Sequence, residues 1–392
     1  MKQNNTADIV IIGGGIIGCS IAYNLANQGA KNVVVLEKGE LCSGGTAKSC
    51  AITRSHYSIE ANVHHAVESV KIFENFDDMV GGDPRFTCTG QLVLGQEKHR
   101  PVMESVFCTQ NKYGSETQTL TPAEAAKLHP LLQFEDVDVI GFESRSGYCD
   151  PYLTTIAYAK RAKDLGVKFY TGTPVTGIRI NGVNKTIETR RSDFECSTLI
   201  LAAGPWTHNL GKMLGIKFPY EISKHKVLTL KIDIPYEKDW PIVKDLLTPE
   251  KIYFRPDAGS AVLVGTGDQG DPVNNIEEMT NDVEMEHIER IGKLMANRMP
   301  AFAYAKLVRS WTGPYDIPPD WNPIIGPVPK LEGVHVAVGF SGHGFKLAPT
   351  IGESLAQQIL GTNPRVPIDM YDMTRFETGK TLNGAYGIGT FA

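Results

Sequence analysis

The chain has no long run of charge, no paired cysteines and no uninterrupted apolar span, and each absence closes off a class of protein. Lysine and arginine number 39 against 44 aspartates and glutamates, a net charge of −5, and there is no extended basic stretch. Nucleic-acid binding is therefore unsupported. The seven cysteines, at positions 19, 42, 50, 88, 108, 149 and 196, are scattered, odd in number and without C-x-x-C spacing. That argues against a disulfide framework or a structural zinc site, supplies no metal-ligand set, and fits a reducing cytoplasm. Internal repeats and low-complexity segments are also missing. The start, MKQNNTAD, carries one Lys offset by Asp8 and lacks the order of a secretory signal.

What remains is ordinary globular composition, 42% hydrophobic and 21% charged over 392 residues. That length exceeds the limit of about 250–300 residues for one core, so two domains are expected.

The most informative stretch is DIVIIGGGIIGCSIAYNLANQGAKNVVVLEK, Asp8 to Lys38. Its first half is apolar enough for a membrane span, but a span needs about 20 apolar residues. Three glycines interrupt this run, and Asn24, Asn27 and Gln28 follow too early. Ile9 to Ile12 reads as a buried strand, Gly13, Gly15 and Gly18 form G-x-G-x-x-G, and Ala22, Leu25 and Ala26 mark the packed face of a helix ending near Gly29. NVVVLE is a second buried strand ending at Glu37, 19 positions after Gly18. Gly13 permits the tight turn, Gly15 lets backbone approach a pyrophosphate, and Gly18 lets the helix pack on the sheet. An acid at Glu37 can bind ribose hydroxyls. A lone GxGxxG is weak, but in this register it predicts a βαβ dinucleotide site.

Beyond it, Cys42 to Ser58 reads as a Gly-, Ser- and Thr-rich loop running into a helix. Helical pattern covers Glu60 to Phe76 and TPAEAAKLHPLL, with a strand at GQLVLG between them. Pro151 opens a helix to about Leu165. STLILAAGPW is a buried strand ending in the small pair Ala203-Gly204. From about Pro219 to Arg309, strands alternate around one amphipathic helix, Val283 to Met299, predicting a separate, mostly antiparallel sheet. GVHVAVGFSGHGFKLAPTIGESLAQQIL then returns to strand, Gly-rich loop and helix.

The set of an N-terminal GxGxxG, ILAAGPW, RSWTGPYDIPPDWNPIIGP and GFSGHGFKLAP resembles the D-amino-acid-oxidase superfamily of FAD-dependent amine oxidoreductases. Within it the chain is similar to the sarcosine oxidase branch, including the sarcosine oxidase β subunit and the dimethylglycine and proline dehydrogenases. The resemblance covers nearly the whole chain. It implies an α/β fold, α+β overall. A discontinuous Rossmann-like FAD-binding domain over 1–85, 142–218 and 310–392 would carry an inserted substrate domain over 86–141 and 219–309. FAD rather than NAD also fits the single GxGxxG. Cofactor contacts are implied at Gly13, Gly15, Ile16, Ile17, Gly18 and Glu37, with Lys38 beside the ribose. Ser43, Thr46 and Ala47 would lie near the pyrophosphate, and the Val175 backbone at the adenine. Ala203, Gly204, Trp206 and Gly313 would add further contacts.

In GFSGHGFK, Gly342 and Gly344 free the backbone to aim N–H groups, with those of Phe345 and Lys346, at the flavin edge that becomes anionic on reduction. In the sarcosine oxidase pattern the H-G-F-K lysine, Lys346 here, pairs with the substrate carboxylate, and TRSHY resembles the segment supplying the arginine partner, Arg54. Arg grips a carboxylate with two parallel hydrogen bonds. As isolated residues both would be ordinary surface cations.

Departures narrow the reading. Glycine oxidase and D-amino-acid oxidase have a carboxylate-binding Arg soon after W-x-G, where this chain offers Tyr315. VRSWTG lacks the flavin-tethering Cys of monomeric sarcosine oxidase, and TAKSC lacks the tethering His of dimethylglycine dehydrogenase, so noncovalent FAD is expected. Leu263 falls where the oxygen-activating lysine of monomeric sarcosine oxidase would lie, which leaves oxygen or another electron acceptor open. His56, Tyr57, Tyr253, Tyr315 and His343 are candidates for a proton acceptor. None is compelling, because a neutral amine needs no strong base, and His343 reads as a loop-positioning residue. His208, His225 and His335 are expected to be structural or surface residues, and the cysteines small core or surface residues.

The expectation is FAD-dependent oxidation of a small secondary or tertiary amino acid of the sarcosine, dimethylglycine or proline type. The alternatives are a D-amino-acid or opine dehydrogenase, an FAD-carrying subunit active only with partner subunits, and a non-catalytic FAD-binding protein. No membrane span is expected; homo-oligomers or partner subunits remain open.

Overall fold

In the computed structural model, which describes residues 3–387, the strand Ile9–Ile12 lies at the middle of a six-stranded sheet. The order is Lys168–Tyr170, Val33–Leu36, Ile9–Ile12, Thr198–Leu201, Val334–Val338 and Ile324–Pro327. The first five run parallel, and the last pairs antiparallel. Both faces of this sheet are covered, which is why its strands read as continuous apolar runs. Ile9 and Ile11 point to a core shared with the helices Ile16–Asn27 and Gly344–Ile359, whereas Val10 and Ile12 point to a second core. That second core is closed by a four-stranded sheet containing Val175–Asn181, Asn184–Thr189 and Ser192–Cys196.

The helix Ile16–Asn27 packs against Gly344–Ile359 so closely that a Cβ at Gly352 would lie 2.2 Å from Ser20 Oγ, which donates to Ala348 O at 2.8 Å. The helix Pro151–Asp164 starts where Asp150 accepts from Leu153 N at 2.9 Å, an N-cap beside a proline in the first turn.

A nine-stranded sheet forms the second large layer. Ile242–Asp245 joins Tyr253–Asp257 antiparallel and Gln91–Gly95 parallel. Glu221–Lys231 pairs with Lys306–Ile317 over nearly its whole length. The helix Met285–Arg298 packs on this sheet's far face through Ile291 and Met295. The segment expected as loop running into helix is different in detail. It holds a 3-10 turn at Gly45–Lys48, then the strand Ile52–Thr53 against Gly147–Tyr148. Among the described residues no helix is long and apolar enough to cross a membrane. All seven cysteines are free.

Candidate functional site

The glycine turn is fixed by contact, not by flexibility alone. Gly13 has φ +120°, and a Cβ there would meet Ala202 O at 2.3 Å; a Cβ at Gly18 would meet Gly13 O at 2.0 Å. Any side chain would push the helix off the strand ends. Gly15 caps the helix without a side-chain hydrogen bond, so the first-turn N–H groups face the cavity edge. One of them, Ile16 N, donates to Thr46 Oγ1 at 3.1 Å. Glu37 accepts from Gly14 N and Gly39 N, both at 2.7 Å, tying the second strand's end to the turn.

This turn opens into a cavity of about 520 Å³ that continues between the two large sheets. At its inner end the walls carry Arg54, Lys244, Tyr253, Tyr315, His343 and Lys346. The Arg54 guanidinium lies 4.4 Å from the Tyr57 ring centre and donates to His56 O. Tyr57 in turn meets His343 edge-on at 5.2 Å. Lys346 sits in the first turn of its helix, is buried, and has no acidic partner among the described residues. Burial, then Arg54, pushes its ammonium well below the usual lysine range. Burial, then Lys346, Arg54 and Lys244, pushes His343 well below the histidine range, so it stays neutral. Tyr253 and Tyr315 are held as phenols, chiefly by burial.

The loop before that helix is shaped around Tyr315. Gly342 has φ +79°, and a Cβ on it would lie 2.3 Å from the Tyr315 ring. The ring also stacks on His225, with centres 3.8 Å apart. Non-glycine residues Ala51, Trp321 and Ser341, all on the wall, also adopt positive φ. Such backbone costs on the order of 1–3 kcal/mol per residue and collects at functional sites.

The wall fits a large polar cofactor. Trp206 Nε1 and Ser341 Oγ are buried, lie on it, and lack a hydrogen-bond partner among the described residues. Buried polar atoms without partners are rare, so these two sit ready for a ligand's acceptors. The glycine turn and Glu37 meet a dinucleotide's phosphate and ribose chemistry at one end. The helix N-terminus at Gly344 supplies positive potential at the other.

Of the residues expected from sequence, Gly13, Gly15, Ile16, Ile17, Glu37, Lys38, Ser43, Thr46, Val175, Ala203, Gly204, Trp206, Gly313, Gly342, Gly344 and Phe345 line this one cavity, with Arg54, Tyr253, Tyr315, His343 and Lys346 at its inner end. Gly18 acts behind the wall as a packing contact, and Ala47 does not reach the wall. Lys38 pairs with Glu277 at 3.0 Å over the Trp206 ring.

His56 and Tyr57 lie behind Arg54, off the cavity wall. There Glu143 Oε2 accepts from Ser55 N at 3.0 Å and from Ser146 Oγ at 2.8 Å. His225, expected to be structural or surface, lines the cavity, and so does Cys50, whose Sγ is 3.4 Å from Tyr253 Oη. Leu263 is buried in its strand between Arg255 and Thr229 and does not line the cavity. The large sheet instead presents Lys244 on the wall, a residue sequence reasoning missed.

A parallel sheet with a glycine turn, joined by one cavity to an inner cluster of cations and phenols, defines a dinucleotide-dependent oxidoreductase. The family pattern of the FAD dependent oxidoreductases (DAO) matches residues 8–358, and the chain belongs to that family. FAD is therefore its cofactor. The chain is 27% identical over 384 residues to the mitochondrial pyruvate dehydrogenase phosphatase regulatory subunit of Mus musculus, covering 94% of this chain and 43% of that one. It is 27% identical over 395 residues to the mitochondrial sarcosine dehydrogenase of Homo sapiens, covering 96% and 42%. The chain thus spans less than half the length of these two relatives. The L-proline dehydrogenase structure from P. horikoshii superposes with a TM-score of 0.88 at 30% identity, covering 96% of this chain and 99% of that one.

Proposed function

We propose that the protein oxidises a small amino acid carrying a secondary or tertiary amine, of the sarcosine, dimethylglycine or proline kind. The observation that carries this reading is the pair Arg54 and Lys346, two cations on the inner wall of an FAD-type cavity, with Lys346 buried and facing no carboxylate of the described protein. A buried cation of this kind calls for an anion, and a substrate carboxylate supplies one. Relatives and a structural neighbour named for sarcosine and proline oxidation support the same class.

In the reaction the C–H bond next to nitrogen breaks with both electrons, the nitrogen lone pair closes a C=N bond, and water then cleaves the imine into a carbonyl compound and an amine, which stay on one opened chain when the imine is cyclic. FAD, when bound, takes the two electrons and passes them to oxygen or another acceptor. Arg54 and Lys346 would fix the carboxylate so that the reacting carbon is held in one place. Neutral His343 and the phenols Tyr253 and Tyr315 add no negative charge of their own around the amine nitrogen, which favours the reactive free amine. The first-turn N–H groups at Gly344 to Lys346 would stabilise negative charge as it develops on the cofactor.

In this reading segments 1–85, 142–218 and 310–392 bind the cofactor, while 86–141 and 219–309 face the substrate, with the strand Lys306–Ile317 crossing that boundary. FAD is held without a covalent bond, so acid precipitation should release all of it. The function is tested by adding sarcosine, dimethylglycine, L-proline, glycine and D-alanine singly to the anaerobic holoprotein. Bleaching by the N-alkyl compounds supports the reading; bleaching by glycine or D-alanine alone overturns it.

A further inference from the structure

At its dinucleotide end the cavity is bounded by a loop that belongs to the layer of the large sheet. This loop, Asp271 to Glu284, leaves and rejoins that layer at one point: Lys226 Nζ lies 2.7 Å from Asp271 Oδ2 and 2.9 Å from Glu284 Oε2. Loops whose ends meet in this way are compact surface units and are frequently functional. Both limbs are pinned through backbone groups. Val273 N donates to Ile222 O at 2.8 Å, and Thr280 O accepts from Thr312 Oγ1 at 2.6 Å. Next to Thr280, Asn281 Oδ1 accepts from Lys48 Nζ at 3.0 Å. Lys48 ends the turn Gly45–Lys48, whose Thr46 takes the Ile16 N–H beside the glycine turn.

Between the pins, the tip 274–279 folds into the 3-10 turn Ile276–Glu278, capped by Asn275, which accepts from Glu277 N at 3.2 Å. Ile276 is the tip's one buried residue and does not line the cavity; Asn274, Asn275, Glu277 and Glu278 are exposed. A segment with so little apolar burial lies at the low-stability end of a fold. From the tip, Glu277 accepts from Lys38 Nζ at 3.0 Å, and that ammonium lies over the Trp206 ring. Lys38 stands just past the strand Val33–Leu36 of the parallel sheet, so the pair joins the two layers. Glu277, Lys38 and Trp206 all line the cavity. The side chains of Lys38 and Glu277 are 47% and 55% exposed, which places the pair where the cavity meets solvent. An ion pair this exposed adds little to stability and suits a contact that opens and closes.

We propose that the tip 274–279 is a clasp on the cofactor site, and that FAD enters and leaves beneath it. The tip pivots on Val273 and Thr280, is latched by Glu277 to Lys38 and is pinned by Ile276. Each passage of FAD waits for the tip to lift, so loosening it speeds entry and exit together and leaves affinity nearly unchanged. Such a clasp presupposes noncovalent FAD and is independent of which amine is oxidised.

The test measures both rates on the full chain. Association is followed by flavin fluorescence after mixing FAD with apoprotein. Release is followed by chasing the holoprotein with excess 5-deaza-FAD and measuring the FAD that remains bound. Glu277→Gln removes the latch, and Ile276→Ala removes the pin, a side chain that cannot touch the cofactor from behind the wall. Each variant should raise both rates by about two- to fivefold, with the dissociation constant shifted by less than either rate. Glu286→Gln, which removes an exposed acid from the helix after the loop, should change neither rate. Release that speeds while association does not marks a direct hold on FAD and overturns the clasp. Rates unchanged in either tip variant overturn it, as does an equal effect in Glu286→Gln. Flavin that stays with the acid-precipitated protein overturns it too, because the cofactor then has no exit to guard. None of these outcomes touches the amine-oxidation reading, which the bleaching experiment decides.

Discussion

Gly342 and Tyr315 occupy each other's space: the ring of Tyr315 lies 2.3 Å from where a Cβ on Gly342 would be. Tyr315 also stacks on His225 with ring centres 3.8 Å apart, a contact that any movement of the ring would disturb. Gly342→Ala therefore meets a steric clash on top of a left-handed φ. The combined cost is about 2–4 kcal/mol, from roughly 1 kcal/mol for the backbone and 1–3 for overpacking. The loop should shift, and the purified variant should carry less FAD per chain than the unmodified protein and melt at lower temperature.

Removing one member of the cation pair should act on substrate binding. Charge-assisted hydrogen bonds are worth about 1.5–3 kcal/mol, so Arg54→Met or Lys346→Met should raise the half-saturating amine concentration by roughly 10- to 150-fold. Rapid-mixing reduction under anaerobic conditions reads this directly. A change of less than about threefold would remove these residues from carboxylate binding.

Asp316 is buried on the cavity wall, and burial pushes its carboxyl up to about 6 from an ordinary 3.8. A carboxyl raised by folding favours the protonated form in the native state, so its charge begins to cost stability as pH rises past about 4 and costs most above 6. Asp316→Asn keeps an oxygen for the Gly339 N–H. The variant should be the more stable protein at pH 8, by up to about 3 kcal/mol, with the advantage gone near pH 4. Melting curves across that range check it.

Glu143 shows the opposite sign. Burial works against its charge, but His56, the Ser55 N–H and the Ser146 hydroxyl outweigh that and hold it down to about 2 from an ordinary 4.5. Its contribution is present above pH 4.5 and is lost as pH falls toward 2. Glu143→Gln should cost about 1–3 kcal/mol near neutrality through the Ser55 and Ser146 donors left poorly met. Denaturant unfolding should show that deficit shrinking below pH 4.5.

The glycine turn and the Gly342–Lys346 loop were legible in the sequence because each is local: strand, glycines and helix follow one another, and their spacing carries the geometry. Lys244 was not legible, since its place on the wall depends on the parallel pairing of Ile242 with Gln91, far apart in the chain. The same holds for Cys50, which meets Tyr253 across 203 positions. Leu263 shows how strand membership alone does not place a side chain on the cavity. It lies in a strand of the large sheet, but its neighbours Arg255 and Thr229 bury it away from the cavity, whereas Lys244, two strands further along the same sheet, lines it. Ala47 sits among wall residues in sequence, yet the 3-10 turn at Gly45–Lys48 rotates it off the wall.

The most direct test of the central claim is the anaerobic bleaching of fully FAD-loaded protein by N-alkyl amino acids, run with ordinary substrate and with deuterium on the carbons next to nitrogen. Saturable bleaching that slows on deuteration is the predicted result, because C–H cleavage at a carboxylate-anchored amine is the step in question. A flavin that stays oxidised with every N-alkyl amino acid tested would contradict the account.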